Sequence, residues 1–158
     1  MENLGAKATF LRNDFVKLMA SIDPATKGLW GKMNLHQTIE HMAYSFRQAS
    51  GKDPYTLETP EEHLPRMQAF LQSDKPFKEN TPNKLLPDEP APPVHANIQD
   101  SLNELQVEIE HFFKEYAQDP EKVVTNPFFG HLDYDMQVQL LYKHAWHHLR
   151  QFGINEVS

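Results

Sequence analysis

The sequence has 158 residues, of which 39% are hydrophobic and 23% charged, proportions that are ordinary for one globular domain. A net charge of −7 argues against nucleic acid and anionic membrane surfaces as partners, and the absence of cysteine excludes disulfides and thiolate ligands. The sequence shows neither a signal peptide nor an apolar run of membrane-spanning length. We therefore expect a single cytoplasmic domain over residues 1–158.

Apolar residues at three- and four-residue steps predict a first helix over about 6–22, and Pro24 helps to end it. Asn34 is the expected N-cap of a second helix that continues to about Ser50. Gly51 is a natural stop for that helix, because glycine readily adopts the left-handed conformation found after helix C-termini.

Residues 51–95 differ from the rest of the chain in their proline content. They contain nine of the twelve prolines: Pro54, Pro60, Pro65, Pro76, Pro82, Pro87, Pro90, Pro92 and Pro93. One short helix is expected here, with Thr59 as its N-cap, Pro60 in the first helical position and Glu62 completing a capping box. The remainder is predicted to be an extended crossover, long enough for the flanking helices to run parallel.

The next predicted helix covers about 96–117 and has the most regular apolar stripe in the chain, with acidic residues such as Glu108 on its other faces. Residues 126–132 then predict a turn with an aromatic plug. Asp133 is the expected N-cap of a fourth helix that runs to Phe152. No strand pattern is evident. Four amphipathic helices with one long crossover predict an all-α four-helix bundle.

The fourth helix carries a pair of histidines, His144 and His148, that are one helical turn apart on one face. Zinc enzymes use this spacing to bind one divalent metal, although two histidines could equally satisfy core hydrogen bonds or cover a helix flank. On a helical wheel the pair forms an arc with His147 and Gln151 that merges with the apolar face. Imidazoles buried there would need polar partners, which favours a metal.

Two histidines do not complete a metal site. Without cysteine, three histidines and a solvent position are the natural arrangement. The second helix offers His36 and His41, on opposite flanks of its apolar stripe, and periodicity does not choose between them. His147 lies toward a different side, so it is expected beside the metal or at the surface. The remaining histidines are expected to be solvated: His63, His95, His111 and His131.

Two segments carry a resemblance to a known family. The letters WGKM at 30–33, followed by QxxxHM at 37–42, resemble the second-helix signature of the DinB-like (damage-inducible B) superfamily. The letters NPFFG at 126–130, followed by YxHxxHHLRQFG at 142–153, resemble the fourth-helix signature of one of its branches. The resemblance covers nearly the whole chain in order, and it implies an up-down-down-up four-helix bundle that commonly forms a homodimer.

The same resemblance implies a metal triad of one histidine on the second helix and two on the fourth. Carried over to this sequence, the ligands are His41, His144 and His148, so the resemblance selects His41 over His36. Zinc or nickel is the implied metal. Three neutral imidazoles leave the metal its positive charge and open positions, which can lower the pKa of bound water or hold a thiolate or carbonyl oxygen.

The resemblance further implies a small-molecule substrate. The expected activity is a metal-dependent transferase that uses a low-molecular-weight thiol, such as bacillithiol, mycothiol or glutathione, or else a hydrolase. No carboxylate has an obvious spacing for a general base, because Glu40 points away from His41, so the catalytic residues are unknown. Gln151 could orient His148 or position a ligand, but it cannot act as a base. The alternative is a non-catalytic bundle that binds a small ligand or a partner protein.

Overall fold

The computed structural model describes residues 1–81, 83 and 85–156, and this part of the chain is mostly helical. Pro82 and Lys84, which belong to the predicted crossover, and the last two residues of the predicted domain lie outside the described residues. The elements are α1 (Leu4–Asn13), α2 (Phe15–Ser21), α3 (Leu35–Ser50), α4 (Leu64–Gln72), α5 (Ile98–Gln118), β1 (Val124–Asn126), β2 (Gly130–Leu132) and α6 (Tyr134–Gln151). None of the helices in these residues combines the length and apolar character needed to cross a membrane.

The single helix predicted over 6–22 is two helices, α1 and α2. They meet at Asp14, whose φ of −115° departs from helical geometry. Leu11 and Phe15, on either side of the break, are both fully buried, so the apolar face continues across it. A helical periodicity therefore predicts the buried face correctly but does not detect a one-residue interruption.

The predicted ends of α3 are confirmed. The Asn34 side chain accepts a hydrogen bond from the Gln37 backbone N–H at 2.8 Å, and the Gln37 side chain accepts one from the Asn34 N–H at 2.9 Å. This reciprocal pair is a capping box, which satisfies two backbone donors at the helix start. Gly51 follows the helix with a φ of +84°, a conformation that favours glycine.

The predicted start of the short crossover helix is wrong. Residues Glu61–His63 form a 3-10 turn, α4 begins only at Leu64, and the turn has no side-chain cap. The Thr59 hydroxyl instead donates to the Phe128 carbonyl oxygen at 2.8 Å. The Thr59 hydroxyl, which local capping rules predict to cap the helix, is thus used in a tertiary hydrogen bond instead.

A β-hairpin stands where no strand was predicted. Strands β1 and β2 pair antiparallel, with Val124 opposite Leu132 and Asn126 opposite Gly130. Each strand has three residues, which is too short for an alternating pattern to be recognised. The Pro127 carbonyl oxygen in the turn accepts from the Glu58 and Thr59 N–H groups at 2.8 and 3.1 Å, so the hairpin anchors the beginning of the crossover.

The core is divided into two clusters of buried side chains. The larger one joins α1, α2, α3, α5 and α6, and Phe46 and Phe112 meet edge to face within it at 5.8 Å between ring centroids. The smaller one joins α4, the hairpin and α6 through Leu71, Phe129, Leu132 and Leu140. Phe129 is the predicted aromatic plug of the turn, and the smaller cluster holds the crossover against α6.

Glu108 was expected on a polar face of α5, but it is only 2% exposed. Its carboxylate accepts from Arg47 at 3.2 Å and from Lys52 at 2.8 Å. A buried carboxylate needs partners of opposite charge, and sequence periodicity does not show that α3 and the following turn provide two of them.

Candidate metal centre

Three histidine rings converge between α3 and α6. His41 comes from α3, and His144 and His148 come from successive turns of α6. The Nε2 atom of His144 lies 3.1 Å from Nε2 of His41 and 2.9 Å from Nε2 of His148. Nitrogens bound tetrahedrally to one zinc at about 2.0–2.1 Å are about 3.3 Å apart. The cluster therefore has approximately the dimensions of a site for one divalent ion.

His36, the other candidate from α3, lies apart from this cluster. Its Nε2 atom is 2.9 Å from the Ser101 hydroxyl and 3.4 Å from a carboxylate oxygen of Glu40. These partners place His36 on the side of α3 that faces α5. Of the two histidines that periodicity left open, the structure brings His41 to the α6 pair.

Gln151 fixes the orientation of His148. The Gln151 Nε2 donates to the Trp30 carbonyl oxygen at 2.7 Å, and this acceptor determines which end of the amide carries the nitrogen. Its Oε1 then faces His148 Nδ1 at 2.7 Å and accepts the proton that this nitrogen carries. The Nε2 atom of neutral His148 consequently bears a lone pair directed at the other two rings, as a metal ligand requires.

The loop before α3 is built around this glutamine. The Leu29 N–H donates to the Gln151 carbonyl oxygen at 2.7 Å. Gly31 has a φ of +79°, and a Cβ atom there would lie 2.7 Å from Gln151 Nε2. A side chain at this position would therefore be strained and would push Gln151 away from His148. The spacing of residues in the sequence did not predict that position 31 requires a glycine.

Burial keeps the three imidazoles neutral. It lowers the pKa of His41 to about 4, with a smaller contribution from His147. Burial is also the main cause that holds the pKa values of His144 and His148 well below the ordinary value of 6.5, and repulsion from the neighbouring histidines adds to it. Neutral imidazole is the form that binds metals, so the deprotonated state is favoured before any ion arrives.

The positions of the three nitrogens suit the binding of one cation better than hydrogen bonding among the three rings. A neutral imidazole nitrogen carries either one proton or one lone pair. His144 Nε2 approaches two other ring nitrogens, and one proton cannot form two linear hydrogen bonds to them. A divalent ion at the centre would accept a lone pair from each ring, so the donor set suits zinc or nickel.

His147 lies beside the three rings of the triad and is not one of them. Its ring centroid is 5.1 Å from that of His148, 5.4 Å from the Trp30 ring and 6.0 Å from the Phe77 ring. Burial lowers its pKa, and Arg150 lowers it further. His147 therefore forms part of an aromatic wall next to the three nitrogens.

Phe77 brings the crossover to the site, and sequence reasoning missed it. Its ring centroid lies 6.1 Å from that of His144, and Phe70 and Phe129 support it from the smaller core cluster at 5.8 and 6.3 Å. The Asn80 side chain, three residues later, accepts from the Gly31 N–H at 3.0 Å. Because the crossover is irregular here, no periodicity marked Phe77 as part of a site.

Glu40 follows the crossover on its other side. Its carboxylate accepts from the Val94 and His95 N–H groups at 2.7 and 3.0 Å and from the Ser101 hydroxyl at 2.7 Å. Burial is the largest single influence on the pKa of Glu40 and raises it, but these hydrogen bonds together outweigh burial and lower the pKa. Glu40 thus points away from His41, as predicted, and fastens the end of the crossover to α3.

The remaining histidines lie outside the triad. His131 is exposed, as expected. His95 differs from the expectation of a solvated ring, because it is hydrogen-bonded to Glu104 of α5, which raises its pKa. His111 lies 3.7 Å from Glu115, one turn along the same helix.

Comparison of the chain with protein-family models, with curated proteins and with solved structures finds no match.

Replacing Gln151 with leucine is expected to weaken zinc binding by about 10- to 100-fold, the usual cost of losing a group that orients a ligating histidine. Leucine has a similar size but cannot accept the proton of His148 Nδ1, so the tautomer is no longer fixed. Competition with a chromophoric chelator measures the affinity. Gln99→Leu, on the exposed side of α5, is the matched control and should bind zinc like the parent. Equal affinities for the two variants would contradict the orienting role.

The metal-free protein is expected to lose stability as the pH falls from about 6.5 toward 4. Unfolded His41 takes up a proton near 6.5, whereas folded His41 resists protonation down to about 4, so acid favours the unfolded chain. His95, whose pKa is raised, acts in the opposite direction but above this window, because its stabilising contribution is already complete once the pH has fallen to about 6.5. Urea unfolding in the presence of EDTA at about pH 7 and pH 5 gives the difference, and His41→Asn should reduce it. An unchanged difference in that variant would refute this origin.

Proposed function

We propose that this protein is a metal-dependent enzyme that holds zinc or nickel on His41, His144 and His148. The convergence of three Nε2 atoms from two helices, with 3.1 and 2.9 Å between neighbours, is the observation that supports it. Three protein ligands leave coordination positions for solvent or substrate, which distinguishes catalytic from structural zinc sites.

A bound metal would supply Lewis-acid chemistry, by which water or a thiol loses its proton near neutral pH. The protein's own contribution is positional. Gln151 directs the lone pair of His148 inward, and the Phe77 ring lies beside that of His144, with 6.1 Å between their centroids. The more specific version of the proposal is a transferase that uses a low-molecular-weight thiol, and the broader version is a hydrolase.

We also propose that the chain belongs to the DinB-like superfamily, with an up-down-down-up bundle, a cytoplasmic location and a homodimeric assembly. One contact supports the family assignment. The two segments that carry the resemblance are far apart in sequence, yet Trp30 of the first accepts a hydrogen bond from Gln151 of the second at 2.7 Å. The bundle topology and the homodimer follow from this assignment, and the cytoplasmic location is the expectation drawn from the sequence itself.

The proposed activity is tested by a screen of tag-free protein with several thiols and electrophiles, and with ester and amide substrates. Each reaction is run with and without a chelator, and the metal content is measured by mass spectrometry. Turnover that the chelator abolishes and that zinc or nickel restores is the expected result. Protein purified without a nickel column that carries no metal and takes none up would refute the proposal.

A second candidate is a binding module, and a groove away from the triad favours it. The groove, of about 700 Å³, lies between the end of α1, α5 and the start of α6. Its lining includes Arg12, Phe113, Lys114 and Tyr134, and the Arg12 guanidinium lies 4.8 Å from the Phe113 ring centroid. Ligand or partner binding that a chelator leaves unchanged and that Arg12→Ala abolishes would favour this function.

A further inference from the structure

The charge at the triad restricts what can complete the metal site. Three neutral imidazoles would leave a divalent ion with its full charge of +2. The ion pairs formed by histidines in the described residues involve His36, His63, His95 and His111, and none of the three triad rings. Since the partly buried surroundings screen charge poorly, an external ligand with an anionic donor atom is favoured over a neutral one.

His41 and His144 are the two partly exposed members of the triad, whereas His148 is only 5% exposed. Phe77 is the aromatic residue against His144, with 6.1 Å between centroids, and it is itself partly exposed. A ligand that reaches the metal past His144 would therefore have Phe77 beside it.

Phe77 is a supported apolar surface. Phe70 and Phe129 pack against it at 5.8 and 6.3 Å, inside the smaller core cluster. On the other side of His147, the Trp30 ring continues the aromatic wall, 5.4 Å from the His147 ring. Transfer of an apolar group from water to such a surface lowers the free energy, roughly in proportion to the area that is buried.

We propose that the ligand completing this site joins an anionic donor atom to an aromatic or alkyl body, and that the body packs on Phe77. This inference rests on the proposed metal centre and extends it to the class of substrate. The metal would select the donor atom, and Phe77 would select what that atom is attached to. Phe77 is accordingly a residue that determines specificity.

The test uses protein loaded with Co²⁺, because thiolate coordination to cobalt gives a charge-transfer absorption in the near ultraviolet. Phenylmethanethiol and 2-mercaptoethanol have similar acidity and differ mainly in the body attached to sulfur. Phenylmethanethiol is expected to bind at least about tenfold more tightly, since the phenyl ring buries apolar surface that 2-mercaptoethanol lacks.

Three variants assign the preference to Phe77. The preference is the dissociation constant of 2-mercaptoethanol divided by that of phenylmethanethiol. Phe77→Ala should reduce this ratio several-fold, and Phe77→Leu should retain most of the preference because leucine is still apolar. Val107→Ala, at a position that is 58% exposed on α5, should leave the ratio unchanged.

The outcomes separate the two proposals. Protein that binds cobalt but takes both thiols equally well would overturn the inference about substrate class and leave the metal centre standing. An unchanged preference in Phe77→Ala would overturn the role of Phe77. Protein that binds no cobalt would overturn the proposed function, and this inference with it.

Discussion

His144→Ala protein is expected to contain far less than one metal ion per chain and to bind zinc more than about 100-fold less tightly than the parent. The Nε2 atom of His144 lies within 3.1 Å of the Nε2 atoms of both other histidines. Its loss therefore removes the ligand that is in contact with each of the remaining two. Removal of a group that only orients a ligand costs about 10- to 100-fold, and loss of the ligand itself should cost more.

The measurement combines mass spectrometry of tag-free protein with chelator competition. His36→Ala is the matched control, because it removes a histidine that contacts Ser101 and Glu40 and lies outside the triad. Circular dichroism shows whether each variant keeps its helix content. Full metal occupancy in folded His144→Ala protein would exclude the assignment of this residue as a ligand.

Phe112→Ala is expected to lower the free energy of unfolding by about 3–5 kcal/mol, the usual range for a buried phenylalanine. Phe112 is fully buried in the larger core cluster. Its ring lies 5.8 Å from that of Phe46 on α3 and 5.0 Å from those of Phe113 and Tyr116 on α5. Alanine would leave a cavity lined by aromatic rings that cannot all move inward.

Such a loss is a large part of the roughly 5–15 kcal/mol by which a domain of this kind is stable. Chemical denaturation followed by circular dichroism measures it. Val107→Ala on the same helix, at a position 58% exposed, should change the free energy by no more than about 0.5 kcal/mol. A loss below about 1 kcal/mol for Phe112→Ala would show that α3 and α5 do not share one rigid core.

The long helices were predictable because local chemistry marks their ends. Asn34 and Asp133 cap α3 and α6 through their own side chains, and capping needs no information from distant residues. The burial of Glu108 depends on contacts with the distant residues Arg47 and Lys52. Helical periodicity carries no record of those contacts, so the sequence alone did not reveal them. The strands of the hairpin have only three residues each, and the break at Asp14 is a one-residue interruption, so neither produces a recognisable pattern.

The candidate site was predictable to a similar extent. The spacing of His144 and His148 places two rings on one helical face whatever the rest of the fold is. The choice of His41 over His36 depends on how α3 is rotated against α6. The helical wheel left this choice open, and only the resemblance selected His41. Phe77 belongs to an irregular segment whose position is determined by the smaller core cluster, so no local pattern pointed to it.

The distance along the chain between His41 and His144 has a consequence for how the protein would acquire its ion. The two residues are separated by 103 positions, and His148 lies further still. While the chain is being synthesised, α3 leaves the ribosome long before α6 and carries only one of the three rings. Tight metal uptake would therefore have to wait until translation has passed α6 and the two helices have docked.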